Sequence, residues 1–449
     1  MIENLLNLIK ERKFADARKV LEDMNVVDVA EMFTEWAEKD DDEKQIVLAF
    51  RILPKEMSAD VFSYLESDLQ QKIVEAISDK ELGEILDELF MDDTVDFIEE
   101  MPANIVKRVI KVSSSYDRKL INQLLMYPES SAGSLMTIEY MEVDDEWTVE
   151  YAIRKVRQQA QDKEIFVNMF VTDDRRHLVG LLKLRDLLSA PDDEIVKNLI
   201  ETDIISVYTH AEQEEVAEMF KKYDLVSMPV VDNEGRLVGI ITIDDIVDVM
   251  EEETTEDIYK MAAMEPIEDS YMETGVFTLA KKRVVWLMVL MISATFTGMI
   301  IQNFDAVLTS NIILSSFIPM LMDTSGNAGS QASVSVIRGI VLGEIEFKNI
   351  FKVMWKEFRV SLVVGVGIAI FDFIGVTIIY RDPLVAMVVG ITIFCAIIAA
   401  KLVGCTLPII ATKLKLDPAL MASPMITTIV DAVSLLVYFN VASYFLPLV

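Results

Sequence analysis

Asp431 lies near the middle of an apolar run, "SPMITTIVDAVSLLVYF" at residues 423–439, which predicts a membrane-spanning helix. A charge at the bilayer centre costs roughly 2.5–3.5 kcal/mol on insertion scales, so such carboxylates usually face a bundle interior or a watery path. Thr427 and Thr428 precede Asp431 by four and three positions, so their hydroxyls share its helix face. We therefore predict that Asp431 binds an ion. The alternative is an aspartate that only hydrogen-bonds neighbouring helices together.

A second polar segment, "DTSGNAGSQAS" at 323–333, lies inside another apolar run. Gly326 and Gly329 permit close approach of helices, and Asn327 and Gln331 place two amides on one helix face. Simple helix packing is the alternative explanation for these small residues. Beside a carboxylate from another span, however, the amides suit Mg²⁺, which dehydrates reluctantly and is held through its water shell.

Acidic residues dominate the first part of the chain. Residues 1–280 carry 29 basic and 65 acidic residues, whereas residues 281–449 carry 12 and 9. Such a surface repels nucleic acid and attracts cations. With only two histidines and two cysteines in the chain, any bound metal is expected to be a hard cation held by oxygen.

Three acidic clusters stand out in this first part. They comprise Asp92, Asp93 and Asp96; Asp244, Asp245 and Asp248; and Glu251 to Glu253, Glu256 and Asp257. A single charge run usually marks only a solvated face. Clusters that meet between packed domains would instead repel one another unless a divalent cation bridged them.

The elements that position these residues follow from the periodicity of the chain. Residues 1–128 show helical periodicity with recurring phrases such as "DVAEMF" and "GEILDEL", which predicts an all-α helical solenoid. Residues 129–250 alternate helix and strand and contain a tandem repeat. In this repeat "HLVGLLKLRDLL" at 177–188 matches "RLVGIITIDDIV" at 236–247. We expect two α/β modules, at 129–195 and 196–250.

An acidic connecting helix is predicted over 251–280, followed by a transmembrane domain over 281–449. Five apolar runs predict five spans, with Pro319, Pro408 and Pro424 as break points. The spans are expected near 282–303, 307–338, 358–380, 384–411 and 419–445. Basic residues cluster before the first span and after the second and fourth, so the acidic half is expected in the cytoplasm and the C-terminus outside.

The phrases "YPESSAGSLMT", "LVGIITIDDIVDVMEEETTEDIYKMA", "GNAGSQ" and "LDPALMASPMITTIVDA" resemble the MgtE family of magnesium channels along essentially the whole chain. The resemblance implies a homodimeric, Mg²⁺-selective channel in the cell membrane, with paired CBS modules and a pore between subunits. It implies that Asp431 is the pore carboxylate and that Gly326, Asn327 and Gln331 belong to the pore motif. It also implies cytosolic Mg²⁺ sensors, whose occupation closes the pore, at Asp92, Asp93, Asp96, Asp224, Asp245, Asp248, Glu253, Glu256 and Asp257.

In some members of this family ATP binds the CBS modules and tunes gating. By resemblance, Arg185 and Asp186 in "KLRDLL" match that region, although Leu225 stands where an aromatic residue would favour stacking on adenine. Beyond its own second copy, membrane lipid is the expected partner, and neither nucleic acid nor an obligatory protein partner is expected.

Two alternatives differ in the class of protein. A secondary transporter of another divalent cation, such as Co²⁺, Mn²⁺ or Ni²⁺, would have the same architecture, and Lys401 is the residue that keeps this alternative open. An intramembrane aspartyl protease would use Asp372 and Asp431 as a dyad, but the GxGD phrase of that chemistry is absent. Besides that alternative, Asp372 is either a second pore residue or a packed polar residue. We expect a transport protein and not an enzyme.

Overall fold

The computed structural model describes residues 2–39, 43–160, 163–267, 271–272, 274–421 and 423–446. The chain divides into two compact units, residues 1–250 and 251–449. Each unit has a hydrophobic core of its own.

Among the described residues, ten helices occupy the first part of unit 1 and bury their apolar stripes against one another. A row of phenylalanines, Phe33, Phe50, Phe62 and Phe97, joins α3, α4, α5 and α8, with adjacent ring centroids 5.1–6.4 Å apart. This row anchors α8, which carries the first acidic cluster. The helices are α1 Ile2–Lys10, α2 Phe14–Glu22, α3 Val26–Lys39, α4 Glu43–Phe50, α5 Lys55–Ser63, α6 Ser67–Ala76, α7 Asp79–Leu86, α8 Met91–Glu100, α9 Ala103–Val112 and α10 Ser115–Leu124.

Two small α/β modules follow, each with a three-stranded sheet in which the middle strand is parallel to the first strand and antiparallel to the third. The first contains β1 Tyr140–Asp144, α11 Val149–Gln159, β2 Ile165–Thr172, β3 Leu178–Lys183 and α12 Leu184–Ser189. The second contains β4 Val207–Tyr208, α13 Gln213–Tyr223, β5 Ser227–Val231 and β6 Leu237–Thr242. Tyr140 and Phe170 of the first module share a buried cluster with Leu237 and Ile240 of the second.

Close packing explains the glycine in each of the two repeated "LVG" phrases. A Cβ at Gly180 would lie 2.7 Å from Ile200 Cβ, and a Cβ at Gly239 would lie 2.8 Å from the Thr137 carbonyl oxygen. Both distances are too short for a side chain, so glycine is required where each strand passes beneath the segment that covers it.

The connecting helix differs from the predicted range of 251–280. This helix, α14, begins at Ile243, directly after β6, and ends at Met261. Ala263 then adopts a left-handed backbone with φ 53°, a conformation that ends a helix. Pro266 follows, and its ring and missing N–H also prevent the helix from continuing. The start was missed because "IDDIVD" continues the repeat of the second module. Residues 268–270 and 273 of the predicted range lie outside the described residues.

In unit 2, α19 is the most enclosed helix and packs against α17, α18 and α20. A Cβ on Gly404 of α19 would lie 2.2 Å from the Gly329 carbonyl oxygen of α17, so these two backbones touch. The helices are α15 Val276–Asn303, α16 Asp305–Ser310, α17 Ile318–Val341, α18 Ile350–Tyr380, α19 Pro383–Lys413 and α20 Ser423–Phe445. Short 3₁₀ helices lie at Ile312–Phe317, Phe347–Asn349 and Pro418–Met421.

Of the described helices in unit 2, four are long and apolar enough to cross a membrane, namely α15, α18, α19 and α20. α18 and α20 are counted here together with the short 3₁₀ helix that precedes each of them. α17 is not among them because its middle carries the polar segment at 323–333. Five spans therefore stay a prediction. The predicted second span, 307–338, is wrong at its start, because Asn311 leaves helical backbone angles and α17 begins only at Ile318.

The helix is interrupted before two of the three predicted break points. Pro319 lies in the first turn of α17, directly after the 3₁₀ helix Ile312–Phe317, and Pro424 lies in the first turn of α20, after the 3₁₀ helix Pro418–Met421. Pro408 lies inside α19, which continues through it to Lys413. The helix that contains the third predicted span, α18, extends beyond it and starts at Ile350.

Candidate functional site

Three carboxylates converge in unit 1. Asp92, Glu164 and Asp245 each offer an oxygen within 4.8 Å of the others, which is close enough for one cation to contact all three. Asp92 is 8% exposed, and its Oδ1 has no hydrogen-bond partner among the described residues. Glu164 Oε2 is likewise buried without a partner there. Carboxylate oxygens this close together form a donor set for a hard cation.

Three parts of unit 1 position this carboxylate triad. Asp92 lies in the first turn of α8, and Asp245 lies in the first turn of α14, where Thr242 Oγ1 donates to its Oδ2 at 2.8 Å. Glu164 comes directly before β2, and its N–H donates to the Glu139 carbonyl at 3.0 Å. The helical domain and both α/β modules thus each supply one carboxylate.

The charges of this triad are costly when no cation is bound. Burial, together with repulsion from Glu164, raises the pKa of Asp92 well above its usual range. Burial, together with repulsion from Asp245, raises the pKa of Glu164 to about 7. Burial raises the pKa of Asp245 to about 6 despite the hydrogen bond from Thr242. A divalent cation would remove this penalty by neutralising the charges that repel one another.

Asp93 and Asp96, also on α8, extend the acidic surface. Burial and repulsion from Asp245 raise the pKa of Asp93 to about 6. Asp96 is exposed at the end of this surface, near the carboxylates of Asp93 and Asp245. Of the acids predicted here, Asp92, Asp93, Asp96 and Asp245 therefore lie in one electrostatic neighbourhood.

Two predicted acids of unit 1 lie elsewhere on its surface. Asp224 is exposed and ends α13 in a left-handed conformation with φ 51°, so it does not belong to the triad. Asp248 is exposed one turn after Asp245 on α14 and adds to the negative potential at Asp245. The sequence does not indicate Glu164 as a site residue, because Glu164 is a single acid before a strand and belongs to no acidic cluster.

Glu253, Glu256 and Asp257 lie on the part of α14 that belongs to unit 2. Here Lys260 Nζ lies 2.7 Å from Glu256 Oε1 and 2.7 Å from Asp417 Oδ2. Burial opposes the charge of Lys260, but the hydrogen bonds to Asp417 and Glu256 outweigh it and raise the lysine pKa. Burial and repulsion from Asp417 raise the pKa of Asp257 to about 6. An ammonium group therefore holds the acidic end of α14 to the segment before α20.

Asp431, on α20, lies against the glycine motif of α17. Its Oδ1 lies 3.8 Å from the position that a Cβ on Gly326 would occupy, and Thr427 Cγ2 lies 3.1 Å from the same position. A side chain at Gly326 would crowd Thr427, whereas the Asp431 carboxylate lies at ordinary contact distance from this position. Asp323, one turn earlier on α17, is close enough to act electrostatically on Asp431.

Thr427 and Thr428 both donate their hydroxyl protons to the Pro424 carbonyl, each at 2.9 Å. Their oxygens are then left as acceptors, as are the carboxylate oxygens of Asp431. Acceptors are what the water shell of a hydrated cation requires, because its water molecules donate outward.

The two faces of α17 have different roles. Gly326 and Gly329 are buried against the neighbouring helices, whereas Asp323, Asn327 and Gln331 are exposed along the adjacent face. These three lie four residues apart and form a continuous polar stripe. In a bilayer such a stripe must meet water or another protein surface. The structure thus separates the glycines of the predicted motif from its amides.

Other polar groups of the membrane unit are buried among its helices. Ser434 Oγ donates to Ser325 Oγ at 2.8 Å and joins α20 to α17. Lys401 on α19 forms a buried ion pair with Glu357 on α18 at 3.5 Å. Asp372 is 8% exposed on α18, and its Oδ2 has no hydrogen-bond partner among the described residues.

The predicted nucleotide-binding residues lie on α12. Arg185 has a side chain that is 79% exposed and pairs with the neighbouring Asp186 at 3.3 Å. This surface pair leaves both groups accessible to an anion or a cation from solvent.

Family models match three parts of the chain. Residues 318–441 match the MgtE family, described as a divalent cation transporter. Residues 24–130 match the MgtE intracellular N domain, and residues 132–193 and 196–252 each match a CBS domain.

Curated relatives span almost the same length. A magnesium transporter MgtE from Thermus thermophilus is 35% identical over 452 residues, covering 99% of this chain and 98% of the relative. A magnesium transporter MgtE from Bacillus subtilis is 32% identical over 447 residues, covering 99% and 97%.

Two solved structures resemble the first part of the chain. One, described as the soluble part of a magnesium transporter, is 27% identical with a TM-score of 0.52, covering 56% of this chain and 97% of that one. The other, described as the cytosolic domain of the Mg²⁺ channel MgtE in complex with ATP, is 34% identical with a TM-score of 0.52, covering 56% and 100%. These matches confirm the predicted fold class, with its helical domain, tandem CBS modules and apolar helices. The chain is therefore an integral membrane protein that belongs to the MgtE family of divalent cation transporters.

Proposed function

We propose that the chain is a Mg²⁺-selective channel that takes up magnesium and that cytosolic Mg²⁺ closes. The observation that carries this proposal is the pairing of Asp431 with Gly326, beside an exposed polar stripe on α17. The curated relatives named above are magnesium transporters, and they are similar along the full chain. A hydrated Mg²⁺ ion suits the site because acceptor oxygens surround it without forming a tight cage.

The pore is proposed to lie between two copies of the chain. A single copy leaves Asp323, Asn327 and Gln331 exposed along a helix that packs among apolar helices. Exposing this stripe to lipid would be costly, whereas a second copy would enclose it together with Asp431 in a water-filled path. Two facing Asp431 carboxylates would repel, and a divalent cation between them would relieve that repulsion.

Closure is proposed to depend on two sets of acids. In unit 1, cation binding to Asp92, Glu164 and Asp245 would hold the helical domain against both CBS modules. In unit 2, Glu256 pairs with Lys260, which holds α14 to Asp417, and Asp257 lies within electrostatic reach of Lys260, Asp417 and Glu253. Binding of Mg²⁺ to these acids would favour the state in which they are packed together. Loss of Mg²⁺ would let repulsion between the carboxylates separate the elements that carry them.

ATP is proposed as a regulator that binds the CBS modules. The support is the ATP complex of a cytosolic domain that is 34% identical to this chain. Arg185 and Asp186 remain the residues proposed to contact the nucleotide, because they are accessible and carry charges suited to phosphate and to its cation.

We also propose that the acidic domains lie in the cytoplasm and the C-terminus outside, as the basic residues predict.

The experiment that tests the pore is Mg²⁺ uptake into liposomes that contain the purified chain. Asp431→Asn keeps the size of the side chain and removes its charge, so we expect flux to fall at least about tenfold without loss of folding. The matched control is Asp305→Asn, at an exposed position in the first turn of α16. Undiminished flux through the Asp431 variant would reject the pore assignment.

The same liposomes distinguish a channel from a coupled carrier. Unitary currents in planar bilayers are expected for a channel, whereas uptake that requires a proton or sodium gradient would indicate a carrier. Nothing in the position of Lys401 favours the carrier, since its ammonium is paired with Glu357.

A further inference from the structure

A cavity of about 670 Å³ lies at the end of the membrane unit where α17 ends and α18 begins. Arg338 of α17 and Lys352 and Lys356 of α18 line it, together with Asn349 and Ser335. All three basic residues are exposed, and none forms an ion pair within the part of the chain that the structure describes. Three uncompensated cations around one cavity favour an anionic ligand.

The acids of the cavity do not cancel these charges. Glu357 lines the inner end, but it is paired with the buried Lys401 at 3.5 Å. Glu344 is the other lining acid, and it is exposed. The cavity therefore keeps an excess of positive charge.

The remaining walls are apolar. Val336, Leu342, Ile345 and Val353 line the cavity between the charged residues. Val336 is 3% exposed and belongs to a small hydrophobic cluster that Ile345 and Val353 pack against. A ligand that fills this space must combine an anionic group with hydrocarbon, which excludes a purely polar anion as the best fit.

The turn that forms one wall is fixed by glycines. Gly343 has φ 68°, a left-handed conformation, and the N–H groups of Glu344 and Ile345 both donate to the Gly339 carbonyl at 2.9 Å. A Cβ on Gly339 would lie 2.5 Å from Ile345 Cδ1. The sequence thus closes a tight turn that folds Ile345 back over α17 and shapes the cavity.

The cavity also lies at the depth expected for lipid head groups. Trp355, one turn from Lys352 and beside Lys356 on α18, is 59% exposed and stacks on Phe358 with ring centroids 5.6 Å apart. Exposed tryptophans flanked by basic residues are typical of the membrane–water interface. Basic pockets between spans at this level bind anionic phospholipid head groups.

We propose that this cavity binds the phosphate group of an anionic phospholipid through Arg338, Lys352 and Lys356, with the glycerol and first acyl carbons against Val336, Leu342 and Ile345. The inference is independent of the proposed function, since it concerns neither Asp431 nor the acidic sensor residues. It assigns the lipid partner to one site instead of the whole apolar surface.

The test is a thermal-unfolding titration of the full chain, purified in neutral detergent, with phosphatidylglycerol and separately with phosphatidylcholine. Phosphatidylglycerol should raise the melting temperature of the native chain by several degrees, and phosphatidylcholine should not. In the variant Arg338→Gln/Lys352→Gln/Lys356→Gln the half-saturating phosphatidylglycerol concentration should rise at least about tenfold. Lys352→Gln alone, at an exposed position, should give part of that loss.

The matched control also removes three positive charges, but at exposed positions outside the cavity: Lys281→Gln/Lys348→Gln/Arg359→Gln. It should keep the native response. An equal response of all variants to phosphatidylglycerol, or no response of the native chain, would overturn the proposal. The same stabilisation by inorganic phosphate or glycerol phosphate would also overturn it and assign the cavity to a soluble phosphate ligand.

Discussion

The ammonium of Lys260 lies 2.7 Å from the carboxylate of Asp417, so one lysine joins the end of the connecting helix to the segment that leads into α20. The same ammonium lies 2.7 Å from Glu256. A monovalent cation of the chain itself therefore stands among acids that the sequence predicts as Mg²⁺ ligands. It provides part of the neutralisation that Mg²⁺ would complete.

Removing this ammonium should weaken the closed state. In Lys260→Met, Asp417, Glu256 and Asp257 would face one another with no cation between them at low Mg²⁺. We expect the Mg²⁺ concentration that half-inhibits flux to rise roughly threefold, since partly exposed ion pairs contribute up to about 1 kcal/mol. Flux in liposomes at increasing internal Mg²⁺ measures this. Lys80→Met, which removes an exposed pair with Glu84, is the control, and an unchanged inhibition curve for Lys260→Met would contradict the role.

The carboxylate triad of unit 1 predicts a pH dependence of stability. The pKa values of Asp93 and Asp245, about 6, and of Glu164, about 7, lie above those of the unfolded chain, so the folded state holds protons more tightly. Without Mg²⁺, the free energy of unfolding should fall by at least about 2 kcal/mol as the pH rises from about 4 to about 7. Above pH 7, Mg²⁺ should restore it by occupying the deprotonated site.

Thermal or urea unfolding of a fragment of residues 1–250, with EDTA or with Mg²⁺, measures this dependence. Glu164→Gln should reduce both the pH slope and the stabilisation by Mg²⁺, because it removes one titrating ligand. Asp224→Asn is the control, since Asp224 is exposed outside the triad and should leave both quantities unchanged. A free energy of unfolding that rises with pH in EDTA would disprove this account.

The contact between α17 and α19 predicts a strong effect of one methyl group. In Gly404→Ala the new Cβ would lie 2.2 Å from the Gly329 carbonyl oxygen, and backbone cannot yield as a flexible side chain does. We expect a loss of at least about 2 kcal/mol, seen as a lower melting temperature in detergent. Gly367→Ala is the matched control, because nothing lies within 4 Å of its Cβ, and better helix propensity should leave it as stable or more stable. Equal melting temperatures for the two variants would show that the helices can separate here.

The sequence predicted the parts of the sites that have a local signal. Asp431 was found because a charge inside an apolar run is costly, and the α8 and α14 acids because they form dense phrases. Glu164 carries no such signal, since only the long-range packing of three domains brings it to Asp92 and Asp245. The predicted bounds of the connecting helix differ from the observed ones because the acidic sequence at the end of the second repeat is similar to that of the linker that follows it. The end of the helix is marked by the left-handed backbone of Ala263, which the sequence does not show.

The sequence does not determine the role of Lys401, because it does not show that Glu357 is the partner of this lysine. Glu357 stands in "FKNIFKVMWKEFR", which reads as a charged connection, whereas the structure continues α18 through it. The two side chains are only 6% and 15% exposed and lie 3.5 Å apart. Breaking a buried pair leaves one uncompensated charge, so Lys401→Met and Glu357→Gln should each destabilise by about 3 kcal/mol. The double variant should recover most of that loss, because no lone charge remains buried.

Melting temperatures of the four proteins in one detergent complete this double-mutant cycle, and Mg²⁺ flux is measured beside them. For a packing pair we expect the double variant to regain both stability and flux. If Lys401 instead coupled transport to protons, the double variant would fold but lose flux, and the loss would depend on pH. Additive destabilisation without recovery would show that each side chain acts with other groups. The cycle thus separates the packing role of Lys401 from the only role in which it would make the protein a carrier.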